Sequence, residues 1–335
     1  MKKIISIVIV NIIVIFIALS FFSLPSEVES RGFEAFGLIE KNGIINNQQE
    51  WDKVIELTQN GKNITNVEDL NVLLRASNKH NSVMLSNNLI GMEKINFPTS
   101  SELGEFTIIN IPSTYSNNIN DLKIYTKVLA TLIHSASRKI ILNLSNNLGG
   151  VREPMIIGSA ALIPDGILFN EIDNKQNRYP LTLKEGKLSG GIPGTLMREQ
   201  SLLTFPPPSK KKLTKVAIVT NECTASAAEA LVLALKNNPN TKVFGMSSAG
   251  LTSINTSYEL IAKDDKESWF LNYTIGYYEM VSSEKTHAVF NSNPIIPDKV
   301  VSFSIQNPES QDIINSSNNQ SLFQAIELWF NQKEE

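Results

Sequence analysis

The stretch KVAIVTNECTASAAEALVLAL, residues 215–235, leaves a chain like this few folds to choose from. Val216 to Val219 run without polar alternation, the pattern of a short strand buried on both faces. A polar turn follows, and then a helix is predicted from about Ala225 to Lys236. A doubly buried strand that leads straight into a helix is half of a βα unit, so the grammar is α/β with helices packed on a mostly parallel sheet.

The rest of the chain agrees with that reading from Glu105 onward. EFTIINI reads as a strand, Asp121 to Ser135 as a helix, KIILNLS as a strand ending in a Gly-Gly turn, and Glu153 to about Ala161 as a short helix. DGILFNEID and RYPLTLKEGKLSGG read as a hairpin-like stretch, followed by a Pro- and Lys-rich loop at 206–212. KVFG is a further short strand, and SYELIA and SWFLNYTIG pair across the charged turn KDDKE. A helix near Leu322 to Phe330 closes the chain. Upstream, residues 30–80 read as about three helices, with Asn66 as an N-cap and with Trp51, Val54, Ile55 and Leu57 as core.

The N-terminus decides where such a domain works. Ile4 to Phe22 is apolar except for Ser6, Asn11 and Ser20 and follows Lys2 and Lys3. Roughly 20 such residues span a bilayer, and the lysines favour a cytoplasmic end. A single-pass anchor over residues 1–24, with the catalytic domain outside the cell membrane, is expected; a cleaved signal peptide is the alternative, and both export the domain. The expected units are therefore residues 1–24 as anchor, 30–80 as the helical unit, and 81–335 as the core with an inserted cap region near 165–212.

Charge and cysteine content exclude several functions. With 33 acidic and 30 basic residues the net charge is -3, and no basic field exists to hold nucleic acid. The single Cys223 cannot form an internal disulfide, and three scattered histidines give no metal-ligand spacing, so no metal or other cofactor is expected. His134, near the end of a helix, and His287, in a polar stretch, read as structural, as does Cys223.

Two turns remain as candidate chemistry. A serine at position 226 has its hydroxyl at the positive end of a helix among small neighbours, where the next amide can bind an oxyanion. Ser226-Ala-Ala-Glu229 is also a capping box, which would give Glu229 and Ser226 purely structural roles. In NLSNNLGG, the amides of Gly149 or Gly150 can face a ligand at a strand end, or the pair can serve only a tight turn.

IILNLSNNLGG and VAIVTNECTASAAE together resemble the C-terminal processing, or tail-specific, serine proteases. The resemblance implies a crotonase-like core, Ser226 as nucleophile, and an oxyanion hole from the amides of Ala227 and of Gly149 or Gly150. Two departures stand out. Leu251 occupies the place of the family's catalytic lysine, in FGMSSAGLTSIN. The 24 residues between His80 and Glu105 are also far too few for the PDZ domain that the family usually carries.

Both departures match a membrane-anchored branch of that family that uses a Ser-His pair. NKHNS, LIPDGILF, LSGG, TASAAE, SSAGLTSIN and NPIIPD fall in the branch's order. This resemblance implies His80 as general base, Ala249, Gly250 and Thr252 as substrate-binding residues, and a monomer acting on a lanthionine-containing, nisin-like antimicrobial peptide. Asn81 stands as an extra polar residue after His80. The alternatives are a general tail-specific protease of exported proteins and a non-catalytic protein that sequesters the peptide.

Overall fold

The computed structural model describes residues 27–59, 64, 66–85, 95–136, 139–197, 203, 215–260, 268–281, 287–305, 313 and 319–332. The apolar run from Ile4 to Phe22, the loop at 206–212 and the KDDKE turn lie outside them. Among the described residues no helix is long and apolar enough to cross a membrane.

Three helices come first: α1 (Glu27–Asn42), α2 (Gln48–Gln59) and α3 (Val67–Ser77). The Asn66 side chain accepts the Asp69 N–H at 2.8 Å, which caps α3 as its sequence predicts. Trp51, Val54 and Thr58 form the buried stripe of α2, and the Thr58 hydroxyl is satisfied by the Val54 carbonyl at 3.0 Å. Leu57 is 48% exposed, contrary to the expectation that it is core, because it falls about a quarter-turn to the side of that stripe.

The mixed α/β part contains two sheets. A parallel sheet carries β3 (Phe106–Asn110), β4 (Lys139–Asn143), β8 (Val216–Thr220), β9 (Thr241–Gly245) and β13 (Lys299–Val300), with β2 (Thr99–Leu103) antiparallel on its edge. Its spatial order is β13-β9-β8-β4-β3-β2. Alternation sorts its side chains. Ile109, Ile140, Leu142, Val216, Ile218 and Val243 face one core, which also contains α4 (Ile119–Ser135), α5 (Arg152–Gly158) and α6 (Ala227–Leu235). Ile108, Ile141, Ala217, Val219 and Phe244 face the other, against Leu322, Ile326, Trp329 and Phe330 of α7 (Gln320–Asn331).

All nine residues of α6 are buried, eight of them apolar and the ninth Glu229. Residues Ala160–Leu162 after α5 form a single 3-10 turn.

The second sheet is antiparallel. Its long strand β11 (Trp269–Val281) pairs with β1 (Ser82–Leu85), β5 (Gly166–Asp173), β10 (Ser253–Leu260) and β12 (His287–Phe290). β6 (Arg178–Lys184) and β7 (Lys187–Gly190) extend it beyond β5. Residues 166–190 are thus three strands of this sheet. The helical unit docks on it through a shared core of Phe36, Trp51, Leu70 and Leu74 with Val83, Leu260, Trp269, Leu271 and Tyr273. Each such side chain, fully buried, contributes about 1.5–3 kcal/mol. Buried Arg31 adds its guanidinium 4.5 Å above the Trp269 ring.

Candidate active site

The carboxyl ends of β4, β8 and β9 open side by side, the place where open α/β sheets bind ligands. Asparagine and threonine side chains stitch the first two turns together. Asn221 and Asn146 exchange two bonds, Asn221 Oδ1 accepting the Asn146 N–H at 2.9 Å and Asn221 Nδ2 donating to Asn146 Oδ1 at 2.7 Å. Thr224 Oγ1 donates to the Leu144 carbonyl at 2.9 Å, and Ala225 N–H to the Asn147 carbonyl at 2.8 Å.

That stitching sets Ser226 against the Gly-Gly turn. A Cβ placed on Gly149 would meet Ser226 Cβ at 2.8 Å and Ala227 N at 3.0 Å, so a side chain there would clash with the serine. Ser226 itself adopts φ 53°, ψ -115°, a conformation that costs a non-glycine residue of order 1–3 kcal/mol and that turns a strand sharply into a helix. This is not the extended backbone of an ordinary N-cap serine. The Glu229 carboxylate nevertheless accepts the Ser226 N–H at 2.8 Å, as the capping reading expects.

Glu229 does more than cap. Its other bonds come from Gly250 N–H and Leu251 N–H, both at 2.8 Å, and from the Ser248 hydroxyl. A buried carboxylate thereby fixes the loop after β9 to the serine turn. Burial raises its pKa above the ordinary carboxylate value, and the four donors oppose that shift. With four donors and no acceptor among these contacts, the surroundings suit the ionised form.

The glycines of the turn differ in what their amides do. Gly149 N–H donates to Asn147 Oδ1 at 2.9 Å and is therefore occupied, which removes it from the expected oxyanion hole. Gly150, at φ 109°, and Ala227 have no acceptor for their N–H among the described residues, and both line the cleft. Ala227 is the first residue of α6, where an amide has no intrahelical partner.

The same cleft, of about 840 Å³, is lined by His80 and Ser226 together, 146 positions apart in the chain. His80 sits between α3 and β1, and both flanking asparagines hold it there. Asn78 Oδ1 accepts the His80 N–H at 3.0 Å. Buried Asn81, the extra polar residue, donates to Ser77 Oγ at 2.8 Å and accepts the Thr274 N–H at 2.7 Å, tying α3 to β11. His80 Nδ1 lies 2.7 Å from Ser253 Oγ, and among the described residues Nε2 has no partner. Burial, with a smaller contribution from Lys79, lowers its pKa to about 4, so the ring is neutral at pH 7.

The expected substrate-binding residues sit differently. Ala249, Gly250 and Thr252 do not line the cleft, whereas Leu251 and Ser253 do. Gly250, at φ 71°, turns the chain ahead of β10, which begins at Ser253. Ala249 O accepts from Lys79 Nζ at 3.1 Å, Gly250 N–H is held by Glu229, and buried Thr252 donates to the Asn293 carbonyl at 2.8 Å.

Cys223 does not reach the cleft either. Ser253, Glu229 and Arg152 were not anticipated in the site. Arg152 is buried on the cleft wall and paired with Glu171 at 2.6 Å. No local signal marked Ser253 or Arg152, and Glu229 was legible only as the cap of Ser226.

Three comparisons bear on identity. Residues 105–301 match the sequence profile of Peptidase family S41. The chain is 26% identical over 271 residues to the nisin-resistance protein of Lactococcus lactis subsp. lactis, covering 78% of this chain and 79% of that one. Among solved structures it resembles a lipoprotein from Streptococcus agalactiae, with a TM-score of 0.67, 25% identity, and coverage of 86% of this chain and 97% of that one. It also shares its fold with the photosystem II D1 C-terminal processing protease, with a TM-score of 0.52 and 12% identity over 88% of this chain and 99% of that one. With more than half its length inside the family profile, the chain belongs to Peptidase family S41 and is a serine peptidase.

Proposed function

We propose that this peptidase works by Ser-His acyl transfer and degrades a lanthionine-containing, nisin-like antimicrobial peptide at the outer face of the membrane, giving resistance to it. Ser226 Oγ attacks a peptide carbonyl carbon while His80 Nε2 takes its proton. The amides of Gly150 and Ala227 receive the oxyanion. Collapse breaks the C–N bond, the leaving amine takes the proton from His80, and water then cleaves the acyl-serine by the same groups in reverse.

The observation that carries this reading is the meeting of four features on one cleft. They are a strained serine, a neutral imidazole with Nε2 unpartnered among the described residues, and two N–H groups likewise without acceptors. A family lysine base has no place in it, because Leu251 lines the cleft where that lysine would stand. The likeness to the nisin-resistance protein supports the substrate class. The apolar run at Ile4 to Phe22 supports an anchor that holds the domain where such peptides act.

The test is to incubate the protein with nisin and with a linear control peptide and to look for fragments by mass spectrometry. Ser226→Ala is expected to abolish cleavage and retain binding. Full protection of cells by Ser226→Ala would instead establish sequestration. Equal cleavage of the linear peptide would point to a general protease of exported proteins.

A further inference from the structure

In histidine-dependent serine peptidases the imidazole needs a second partner on Nδ1, because the ring can accept the serine proton on Nε2 only when its own proton sits on Nδ1. A carboxylate is the usual partner. Here the atom facing His80 Nδ1 is the Ser253 hydroxyl, at 2.7 Å. A hydroxyl can donate or accept, so by itself it does not choose a tautomer.

The groups behind it do choose. Asn255 Nδ2 donates to the His80 carbonyl at 2.9 Å, which turns Asn255 Oδ1 toward Thr274. An amide oxygen only accepts, so the 2.9 Å contact between Thr274 Oγ1 and Asn255 Oδ1 uses the threonine's one proton. Thr274 Oγ1 then faces Ser253 Oγ, 3.5 Å away, as an acceptor.

Two proton arrangements remain. If His80 Nδ1–H donates to Ser253 and Ser253 donates to Thr274, both contacts are made. If Ser253 instead donates to Nδ1, the buried Thr274 oxygen loses its donor and only one contact survives. Ser253 is 3% exposed and Thr274 fully buried, so water does not supply the missing bond cheaply.

We propose that Ser253, backed by Thr274 and Asn255, is the positioning residue of the site: a neutral relay that holds the proton on His80 Nδ1 and leaves Nε2 free to act as base. The proposal rests on the Ser226–His80 reading. The relay closes on itself, beginning at the His80 ring and ending at the His80 carbonyl, so it fixes ring orientation and backbone position together. No carboxylate takes part. The imidazolium formed in each cycle is therefore steadied by dipoles rather than by a negative charge.

Histidine-selective ¹⁵N spectroscopy of the protein tests this directly, with His80 assigned by His80→Gln. In the wild-type protein at neutral pH, Nδ1 is expected to carry the proton. A wild-type His80 protonated on Nε2 overturns the proposal, whatever the variants do. Ser253→Ala is expected to move the proton to Nε2. It should also lower kcat for nisin cleavage by on the order of 10²-fold while KM stays within about twofold. Ser253→Thr, which keeps the hydroxyl, should restore both the tautomer and the rate.

Unchanged kcat in Ser253→Ala, with His80→Gln inactive, removes the relay and leaves the Ser-His reading intact. Full activity in His80→Gln removes that reading itself.

Discussion

Replacing Glu229 by glutamine changes one heavy atom and almost no volume, yet it is expected to be among the most damaging substitutions outside the reacting atoms. Its two oxygens each take two donors. Oε2 serves the Ser226 and Leu251 amides, and Oε1 serves the Gly250 amide and the Ser248 hydroxyl. A glutamine must turn an NH₂ toward one of these pairs.

Facing the two amides of Ser226 and Leu251 would orphan both. Facing the other pair orphans only Gly250, because the Ser248 hydroxyl can rotate and accept. The preferred orientation therefore leaves one buried amide unpaired, at about 1–3 kcal/mol, and reduces three charge-assisted bonds to neutral ones, at about 1 kcal/mol each. Against this stands relief from burying a charge, the effect that raises the Glu229 pKa. A net loss of about 2–4 kcal/mol is expected, read as a lower urea midpoint at unchanged m-value. Activity should fall further than stability explains, since the Ser226 turn and the segment leading to Ser253 share this anchor. A Glu229→Gln protein that unfolds at the wild-type urea concentration would refute the reasoning, and the carboxylate would then be no more than a tolerated charge.

Four further outcomes are expected. Gly150→Ala would place Cβ 2.5 Å from the Thr114 carbonyl carbon at a φ of 109°, so kcat for nisin should fall on the order of 10²–10³-fold as one oxyanion donor is turned away; wild-type kcat would exclude this amide from the hole. With the His80 pKa near 4, a kcat/KM profile should hold its plateau down to about pH 5, where an ordinary histidine of pKa about 6.5 would be mostly protonated; an acid limb at 6–7 would contradict it. The same depressed value means that folded His80 binds fewer protons than unfolded between about pH 4 and 6.5. It therefore contributes up to about 3 kcal/mol of stability above that window, which is lost on acidification and is measurable as a smaller pH slope in His80→Gln. Glu171→Ala should cost about 3–5 kcal/mol in denaturation, because it leaves the buried Arg152 guanidinium without its 2.6 Å partner.

The legible parts of this molecule were those in which local pattern and burial coincide. KVAIVT read as a buried strand and is β8, KIILNLS read as a strand and supplies β4, and the helix expected from about Ala225 to Lys236 is α6. The strands that escaped notice lack that signal. TSSEL of β2 is a polar edge strand with mostly exposed side chains, and β1 and β12 are four residues each. SYELIA was seen as a strand, but β10 begins four residues earlier, at Ser253, because Asn255 and Thr256 break the alternation around a bulge.

In the site, the Gly-Gly turn was visible because a tight strand-end turn favours glycine, and Ser226 because it opens a helix within a string that resembles the family's. Ser253 was not, since nothing local distinguishes a serine that faces an imidazole from one that faces solvent. The same holds for Glu229, whose capping role was evident while its hold on Gly250 and Leu251 depends on contacts across 21 and 22 residues.

The pairing of β1 with β11 joins Ser82 to Asn272, two residues after His80. During synthesis, the serine turn and its amides can form once α6 and the loop after β9 have been made. The strand that follows His80 has its pairing partner only once the chain through Trp269–Val281 has been made. On the proposed Ser-His reading, a partly made chain would therefore carry its nucleophile without a seated base, and cleavage would begin only when most of the length has arrived.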